Sequence, residues 1–503
     1  MKYKSVWHLG VPMLPGTKED FPHAVLALAQ RWCAQEPEAF DQIYPAIGLA
    51  LSNPVVSANR LFGVAQWSAT RRADMSLQIM DLLWCFGYES ADLHLHRADL
   101  LCRSGELDQA LVAINRGLAL DPNRAAAHNY LGHVWALHMN WQAAIDSFRR
   151  AIKLDPTFID AYGNLGTCLL RLKQHDAAAQ AYQQALRLAP QQAELQTNLA
   201  LVELSRGNYQ EGFRWYEHRW RTGELAPCLP ITAQPLWLGQ TDLAGRTVLA
   251  WAEQGLGDAL QFCRYIPLLV QRGARVIVRI PEALVRLFQN SDLQAAQFIT
   301  EGQALPPHDF HVPFMSLPLA FGTTVSSIPG LSPYLKASSL GMQRCLDLLG
   351  PRAGTRVGLV WAGRQYPRPN APRDVPLNAL EPLMQLNSEF ICVQKEVSER
   401  DARELRARPN VRLCGEYLGD LQDTADVIAN LDLLVTVDSA VAHLGAALGK
   451  EVWIMNRYSP CWRWSYDRTD SLWYPSVKLF NQTAPGDWFS VVQRLTEALA
   501  ARL

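Results

Sequence analysis

Residues 432–450 read DLLVTVDSAVAHLGAALGK. The stretch opens on Leu433-Leu434-Val435-Thr436-Val437, an apolar run with the length of a buried strand. It breaks at Asp438-Ser439 and resumes with Val441, Leu444, Gly445 and Leu448, spaced as one face of a helix. Ser439 stands where a helix N-cap is expected. A parallel strand that runs into a helix leaves backbone N–H groups and the positive end of the helix dipole at the sheet's carboxyl edge. That is a ready site for phosphate. The stretch therefore predicts a parallel α/β sheet with a phosphorylated ligand at its edge, a nucleotide before others.

Strand and helix patterns alternate on either side of it. One series starts at Arg356-Val357-Gly358-Leu359-Val360-Trp361. It continues through Phe390–Gln394, Val411–Leu413, the stretch above and Glu451–Met455. An earlier series begins with a strand at Thr247–Trp251, a helix over Asp258–Leu269 and a strand at Arg275–Arg279, which make one βαβ unit. Two such series predict two doubly wound domains with a cleft between them, 246–350 and 351–503. The last helix, Trp488–Leu503, is expected to brace the first of these.

A repeat precedes them. Leu120-Asp121-Pro122, Leu154-Asp155-Pro156 and Leu188-Ala189-Pro190 recur every 34 residues. At the eighth position of each unit stand Ala98, Gly132, Gly166 and Ala200; at the twentieth, Ala110, Ala144, Ala178 and Gly212; at the twenty-fourth, Ile114, Phe148, Tyr182 and Tyr216. Small residues let paired helices approach, and the large one is expected to fill the gap to the next unit. The pattern resembles the tetratricopeptide repeat over 91–222. Arg97 departs from it, where the other units have Leu131, Leu165 and Leu199. Residues 1–90 carry irregular helical segments such as Ala24–Ala29 and Leu77–Phe86. Residues 223–245, rich in proline, are expected to be a linker.

At 503 residues the chain exceeds one core. A formal net charge of −1 gives no support to nucleic-acid binding by bulk charge. Ten scattered cysteines without a C-x-x-C pair predict reduced thiols, hence a cytoplasmic protein. The N-terminus lacks an apolar signal-peptide core, and no apolar run is long enough to span a membrane.

Several loops at strand ends could carry chemistry. Glu253-Gln254-Gly255-Leu256-Gly257-Asp258 follows the strand ending at Trp251. Gly255 and Gly257 would let backbone approach a ligand, and Asp258 opens a helix. A tight turn with a capping aspartate fits equally well. Trp361-Ala362-Gly363-Arg364 leads into a polar loop reaching Arg373, an arginine suited to phosphate or to a solvated loop. Gln394-Lys395 ends another strand; Lys395 suits a leaving phosphate or is a surface charge. His443 could touch ligand or be a satisfied core histidine. The run Trp462–Arg468 could stack a base or sugar through Trp464, or pack as core. No metal-binding, Walker or G-x-S-x-G pattern is present.

The two α/β series resemble GT-B glycosyltransferases, within them the bacterial heptosyltransferase family and its tetratricopeptide-fused relatives. Gly257-Asp258 and Asp438-Ser439-Ala440-Val441-Ala442-His443-Leu444 carry the likeness, with Glu253–Asp258, Trp215-Tyr216-Glu217-His218-Arg219-Trp220, Trp361-Ala362-Gly363 and Trp462-Arg463-Trp464 pointing to the fused subgroup. The resemblance covers 91–503. It implies a tetratricopeptide α-solenoid followed by two Rossmann-like domains, acceptor side first and nucleotide-sugar side second. It implies inverting transfer from a nucleotide sugar without a metal or other cofactor, with Asp258 as general base and Glu253 as its rival. Donor contacts are expected from Asp438, Ser439, Ala440, His443, Gly363, Arg373, Gln394, Lys395 and Trp464, and an acceptor-side loop from Gly255 and Gly257. The family usually has Thr-Gly after the donor-side aspartate, whereas this chain has Ser439-Ala440, so its donor is open among ADP-heptose, CMP-nonulosonate and UDP-sugars. The repeats are expected to recruit a protein acceptor, with flagellin favoured by analogy. A lipid or polysaccharide acceptor, or a non-catalytic scaffold, are the competing readings.

Overall fold

The computed structural model describes residues 54–503 apart from 70–71, 224, 227–228, 231, 331–332 and 364–372. Ala24–Ala29 and Arg364 lie outside the described residues. The chain divides into two compact units, Met1–Pro190 and Gln191–Leu503. The division falls between the third and fourth repeats. The fourth repeat, with helices Ala193–Ser205 and Tyr209–Tyr216, thus belongs to the same unit as the α/β domains. The boundary read at 222 lies one repeat further along.

In the first unit, helices Pro54–Ser68 and Ala73–Cys85 precede three helix pairs: Ala91–Arg103 with Leu107–Leu120, Ala125–Leu137 with Trp141–Leu154, and Ile159–Arg171 with His175–Leu188. A Cβ on Gly132 would lie 2.6 Å from the Phe148 ring, and one on Gly166 2.9 Å from the Tyr182 ring. In these two repeats the large residue packs on the small residue of its own repeat. Ile114 of the first repeat also shares a core cluster with Val134 of the next, as expected. Arg97 is buried in an ion pair with Asp81 at 2.6 Å, both side chains 8% exposed, and its guanidinium lies over the Trp84 ring. The helix before the repeats supplies a carboxylate and an aromatic face, which is why an arginine replaces the usual leucine. Burial pushes the Asp81 carboxyl above its ordinary value, while Arg97 pulls it down.

The second unit holds two parallel sheets. β1 (Thr247–Trp251), β2 (Arg275–Arg279), β3 (Gln297–Ile299) and β4 (Phe310–Pro313) are ordered β3-β2-β1-β4. β5 (Arg356–Val360), β6 (Glu389–Cys392), β7 (Val411–Leu413), β8 (Leu433–Val437), β9 (Val452–Asn456) and β10 (Val477–Asn481) are ordered β10-β9-β8-β5-β6-β7. Strand order reverses between β1 and β4 and between β8 and β5. Crevices open at such points above the carboxyl ends of the strands. The central strands are buried on both faces, so β8 reads as a continuous apolar run.

Three sequence expectations change. The helix expected over Asp258–Leu269 is broken into Leu256–Phe262, a 3-10 turn at Cys263–Tyr265 and Ile266–Gln271, because Pro267 has no N–H to continue the ladder. The last helix, Trp488–Ala500, does not brace the first domain. Its Trp488, Val491, Val492, Leu495 and Leu499 join Val357, Leu359, Leu433 and Val435 in the second domain's core. Helix Ser339–Leu349 also joins the second domain: Ser338 N–H and Oγ donate to the Asp426 carboxylate at 2.7 and 3.0 Å. In the expected linker, Trp237 is buried, and its N–H donates to the His311 carbonyl at 2.9 Å, seating this segment along β4. Among the described residues no helix is long and apolar enough to cross a membrane.

Breaking a buried ion pair from one side leaves an uncompensated charge. Arg97→Leu alone should therefore destabilise the protein by about 3–5 kcal/mol. The double variant Asp81→Leu/Arg97→Leu should recover most of that loss, as measured by urea unfolding of both proteins.

Candidate active site

The two strand–turn–helix motifs meet. Helix Leu256–Phe262 follows β1, and helix Ala440–Ala447 follows β8. A Cβ on Gly257 would lie 2.9 Å from His443 Cδ2 and 3.5 Å from Ala440 Cα. The glycine is what lets the first turns of these helices touch across the cleft. Gly255 is the residue before the first helix, and its N–H donates to Asp258 Oδ2 at 3.1 Å. Asp258 sits in the helix's first turn with its side chain 21% exposed, and its Oδ1 pairs with Arg463 Nη2 at 2.5 Å.

Glu253 is placed differently. Its side chain is 1% exposed. Oε1 accepts from Arg219 Nη2 and from the Met315 N–H, both at 3.1 Å. Arg219 is fully buried and also donates to Glu217 Oε1 at 2.7 Å, Ser316 Oγ at 2.8 Å and the Tyr216 carbonyl at 3.1 Å. Its guanidinium lies 4.3 Å from the Trp220 ring centroid. Burial pushes the Glu253 carboxyl up to about 7, with Arg219 and the Met315 amide pulling the other way. Gln254 Nε2 donates to Tyr216 OH at 2.9 Å. The junction Trp215–Trp220 is therefore the clamp that holds the catalytic-loop candidate from the fourth repeat.

On the opposite wall, Asp438 Oδ1 accepts from Trp464 Nε1 at 2.7 Å, and its carbonyl accepts from Arg373 Nη1 at 3.2 Å. Ser439 occupies the N-cap position of Ala440–Ala447, but its hydroxyl does not cap the helix; it bonds to Thr436 Oγ1 at 3.2 Å. The expected side-chain cap is thus corrected: the Ser439 hydroxyl covers none of the first amides of the helix, although its carbonyl accepts from the Ala442 N–H at 3.1 Å. Arg373 lies over Gly363: a Cβ there would stand 2.5 Å from Nη2. Among the described residues the buried Nε of Arg373 has no hydrogen-bond partner. Gly363 N–H donates to Asp374 Oδ1 at 2.8 Å, which turns the loop after β5 toward β8.

The remaining expected donor residues act at a distance or face elsewhere. Trp464 is fully buried and stacks on His443, with ring centroids 4.8 Å apart, so it cannot also stack a base or sugar. His443 is buried and shares a hydrogen bond with Tyr474 OH through Nδ1 at 3.0 Å. Burial pushes its imidazole well below the ordinary value, and Arg463 and Arg264 push the same way, so the ring is neutral at physiological pH. Gln394 uses its amide on protein: Oε1 accepts from the N–H groups of Trp361 and Ala362 at 3.2 and 2.9 Å, and Nε2 donates to the Glu396 carbonyl at 2.9 Å. Lys395 is exposed and donates to the Gly419 carbonyl at 2.7 Å. Among the described residues no group of three or more His, Cys, Asp or Glu is arranged to hold a metal ion.

A cavity of about 630 Å³ opens at the carboxyl ends of β5 and β6, lined in part by Trp361, Asp374, Gln394 and Asp401. Another, of about 590 Å³, opens beside β1 and β2, with Glu253, Gln254 and Arg279 on its wall. Reading the sequence missed Arg463 and Arg219. Both stood inside quoted motifs, but an arginine between tryptophans gives no sign of which carboxylate it meets.

If Gly257 is glycine because of His443, then Gly257→Ala should force the two helices apart. Overpacking of this kind costs about 1–3 kcal/mol. A lowered urea midpoint for Gly257→Ala beside an unchanged one for Gly223→Ala, where a Cβ meets open space, is the expected result.

Comparisons with known proteins add an independent line. Residues 385–455 match glycosyltransferase family 9 (heptosyltransferase), and residues 95–157 and 159–192 match the tetratricopeptide repeat. Protein FlbA of Caulobacter vibrioides is 26% identical over 334 residues, which are 61% of this chain and 55% of FlbA. The chain thus spans about half the length of that relative. Among solved structures, one of MamA shares 21% identity over 32% of this chain and 96% of its own, with a TM-score of 0.29. PilF of Pseudomonas aeruginosa shares 19% over 33% of this chain and 76% of its own, with a TM-score of 0.31. The chain joins tetratricopeptide repeats to an α/β body in which residues 385–455 are similar to glycosyltransferase family 9 (heptosyltransferase).

Proposed function

We propose that this protein is an inverting, metal-independent glycosyltransferase that moves a sugar from a nucleotide sugar to a hydroxyl of a protein acceptor. The observation that carries the reading is the contact of the two helix starts at Gly257 and His443. It supports reading Asp258 and the helix after Asp438-Ser439 as parts of one site, since the two helix starts touch. The family 9 match over 385–455 includes the second of these helix starts.

The roles follow from the chemistry. Asp258 takes the proton of the acceptor hydroxyl as its oxygen bonds to the anomeric carbon. The anomeric carbon–phosphate oxygen bond breaks, and its electron pair leaves on the nucleotide. The first amides of Ala440–Ala447 and the guanidinium of Arg373 meet that negative charge. Arg373 is suited to this because its guanidinium lies over Gly363 and is held beside the helix start by the Asp438 carbonyl. Gln394 holds the loop backbone and Trp464 holds Asp438, so both serve the donor wall without touching ligand. Glu253 holds Arg219 and the Met315 amide, which leaves Asp258 as the base. The tetratricopeptide repeats recruit the acceptor, and flagellin is the acceptor that the resemblance to fused relatives favours. A soluble, cytoplasmic enzyme fits this acceptor.

General-base help is worth about 10²–10⁴-fold. Asp258→Asn should lower kcat by that factor and leave nucleotide-sugar binding intact, measured by turnover and by thermal shift on the same preparation. A charged hydrogen bond is worth about 1.5–3 kcal/mol. Arg373→Ala should therefore weaken donor binding about 10- to 100-fold with little change in melting temperature without ligand. A thermal-shift screen over UDP-, GDP-, ADP- and CMP-sugars tests the reading as a whole. At about 100 times its dissociation constant the right donor adds roughly 2.7 kcal/mol. Absence of a shift with every nucleotide sugar would sink it.

A further inference from the structure

Asp258 lies in the first α/β domain, but the group that fixes it comes from the second. Arg463 stands in the 3-10 turn Trp462–Trp464, after β9. Its side chain is 11% exposed, and its Nη2 reaches Asp258 Oδ1 at 2.5 Å. Its other neighbours carry no formal charge. Nη1 donates to Cys461 Sγ at 3.1 Å, and Nη2 approaches Met315 Sδ at 3.6 Å. The guanidinium lies 4.5 Å from the Trp462 ring centroid and 6.0 Å from that of Phe262. Among the described residues its Nε, which is buried, has no hydrogen-bond partner. Asp258 is the only carboxylate in ion-pair contact with Arg463 among the described residues.

We infer that Arg463 is the positioning residue of the base, contributed across the cleft by the donor-side domain. Resting on the reading of Asp258 above, this means that the base is set only when the two α/β domains are together. Oδ1 is held by Arg463 and Oδ2 by the Gly255 N–H, from opposite domains. With both anchored, the carboxylate plane cannot rotate, and each oxygen keeps a second lone pair for the incoming proton. The planar fork wedged between aromatic rings supplies the geometry as well as the charge, which a lysine would not. Arg463 touches Asp258 and not the reacting atoms, so its effect falls on turnover and not on donor binding.

The experiment compares full-length Arg463→Ala, Arg463→Lys, Asp258→Asn and the double variant Asp258→Asn/Arg463→Ala. The readouts are kcat, donor KM, donor thermal shift, and turnover with added guanidinium chloride at non-denaturing concentration. Misplacing a reacting group costs on the order of 10²-fold. Arg463→Ala should lose kcat by on the order of 10²-fold, with donor KM and thermal shift changed by less than about threefold. Free guanidinium should restore part of that loss in Arg463→Ala and none in the double variant. The double variant should be no slower than Asp258→Asn alone, since residues acting as a unit are not additive. Arg463→Lys, which keeps the charge and guards against a folding failure of the alanine variant, should also lose kcat while binding donor normally. A raised donor KM with kcat intact would make Arg463 a donor contact and overturn the inference. So would multiplicative effects in the double variant or a fully active Arg463→Lys. A fully active Asp258→Asn would instead remove the base reading itself. A slow Asp258→Asn beside an unimpaired Arg463→Ala would remove this inference alone.

Discussion

The absence of a side chain at Gly257 is the constraint on which the α/β unit depends. With a Cβ there, 2.9 Å from His443, the helix after β1 and the helix after β8 could not share their first turns. Their contact brings together two crevices, each at a reversal of strand order, that would otherwise be separate sites on separate sheets. The chemistry available then follows from what each first turn presents. One presents a carboxylate, Asp258. The other presents a helix start that the hydroxyl of its N-cap residue leaves uncovered, because the Ser439 hydroxyl bonds back to Thr436.

Buried arginines hold this arrangement in place. Arg219 ties the fourth repeat to the loop after β1, Arg463 ties the second domain to Asp258, and Arg264 reaches from the first domain to the Trp473 carbonyl at 2.9 Å. Each lies over aromatic rings: Trp220 and Tyr216 for Arg219, Trp462 and Phe262 for Arg463, Tyr334 and Tyr474 for Arg264. A guanidinium is more weakly hydrated than an ammonium and stacks on such faces, so it can be buried where a lysine would shift toward neutrality. This accounts for the many late aromatics better than a ligand-stacking loop does. Trp462 packs against Tyr209 and Phe213, and Trp464 against His443.

The sequence made legible whatever is periodic or local. The repeats, both strand series and the helix after β8 are visible because burial of a helix stripe or of a two-faced strand imposes a spacing. Asp258 and Asp438 were visible because they sit where strands end. What could not be read were the partners. Arg97 looked like a fault in the repeat until Asp81 and Trp84 appeared beneath it. Gln394 and Lys395 ended a strand in the right place, yet one bonds its own loop and the other an exposed carbonyl. The destination of the last helix was equally hidden, since its apolar stripe fits any sheet face, and only the short return from β10 decides which. Spacing predicts that a side chain is buried or exposed; it does not say which residue, tens or hundreds of positions away, it meets.

The fourth repeat gives the junction motif its meaning. In the third repeat the residue at the twenty-fourth position, Tyr182, hydrogen-bonds only within its own repeat, to Thr167 Oγ1 at 2.8 Å. In the fourth, Tyr216 accepts a hydrogen bond from Gln254, and three residues later Arg219 holds Glu253. Glu253 is buried and its carboxyl is pushed up by desolvation, and the arginine beneath it offsets part of that cost. The loop that carries Gly255, Gly257 and Asp258 is therefore built on a repeat helix as much as on a strand. A repeat of this kind cannot be exchanged for another copy of the consensus without removing the support of the candidate base. That is the physical reason why the fourth repeat belongs with the α/β domains and the first three do not.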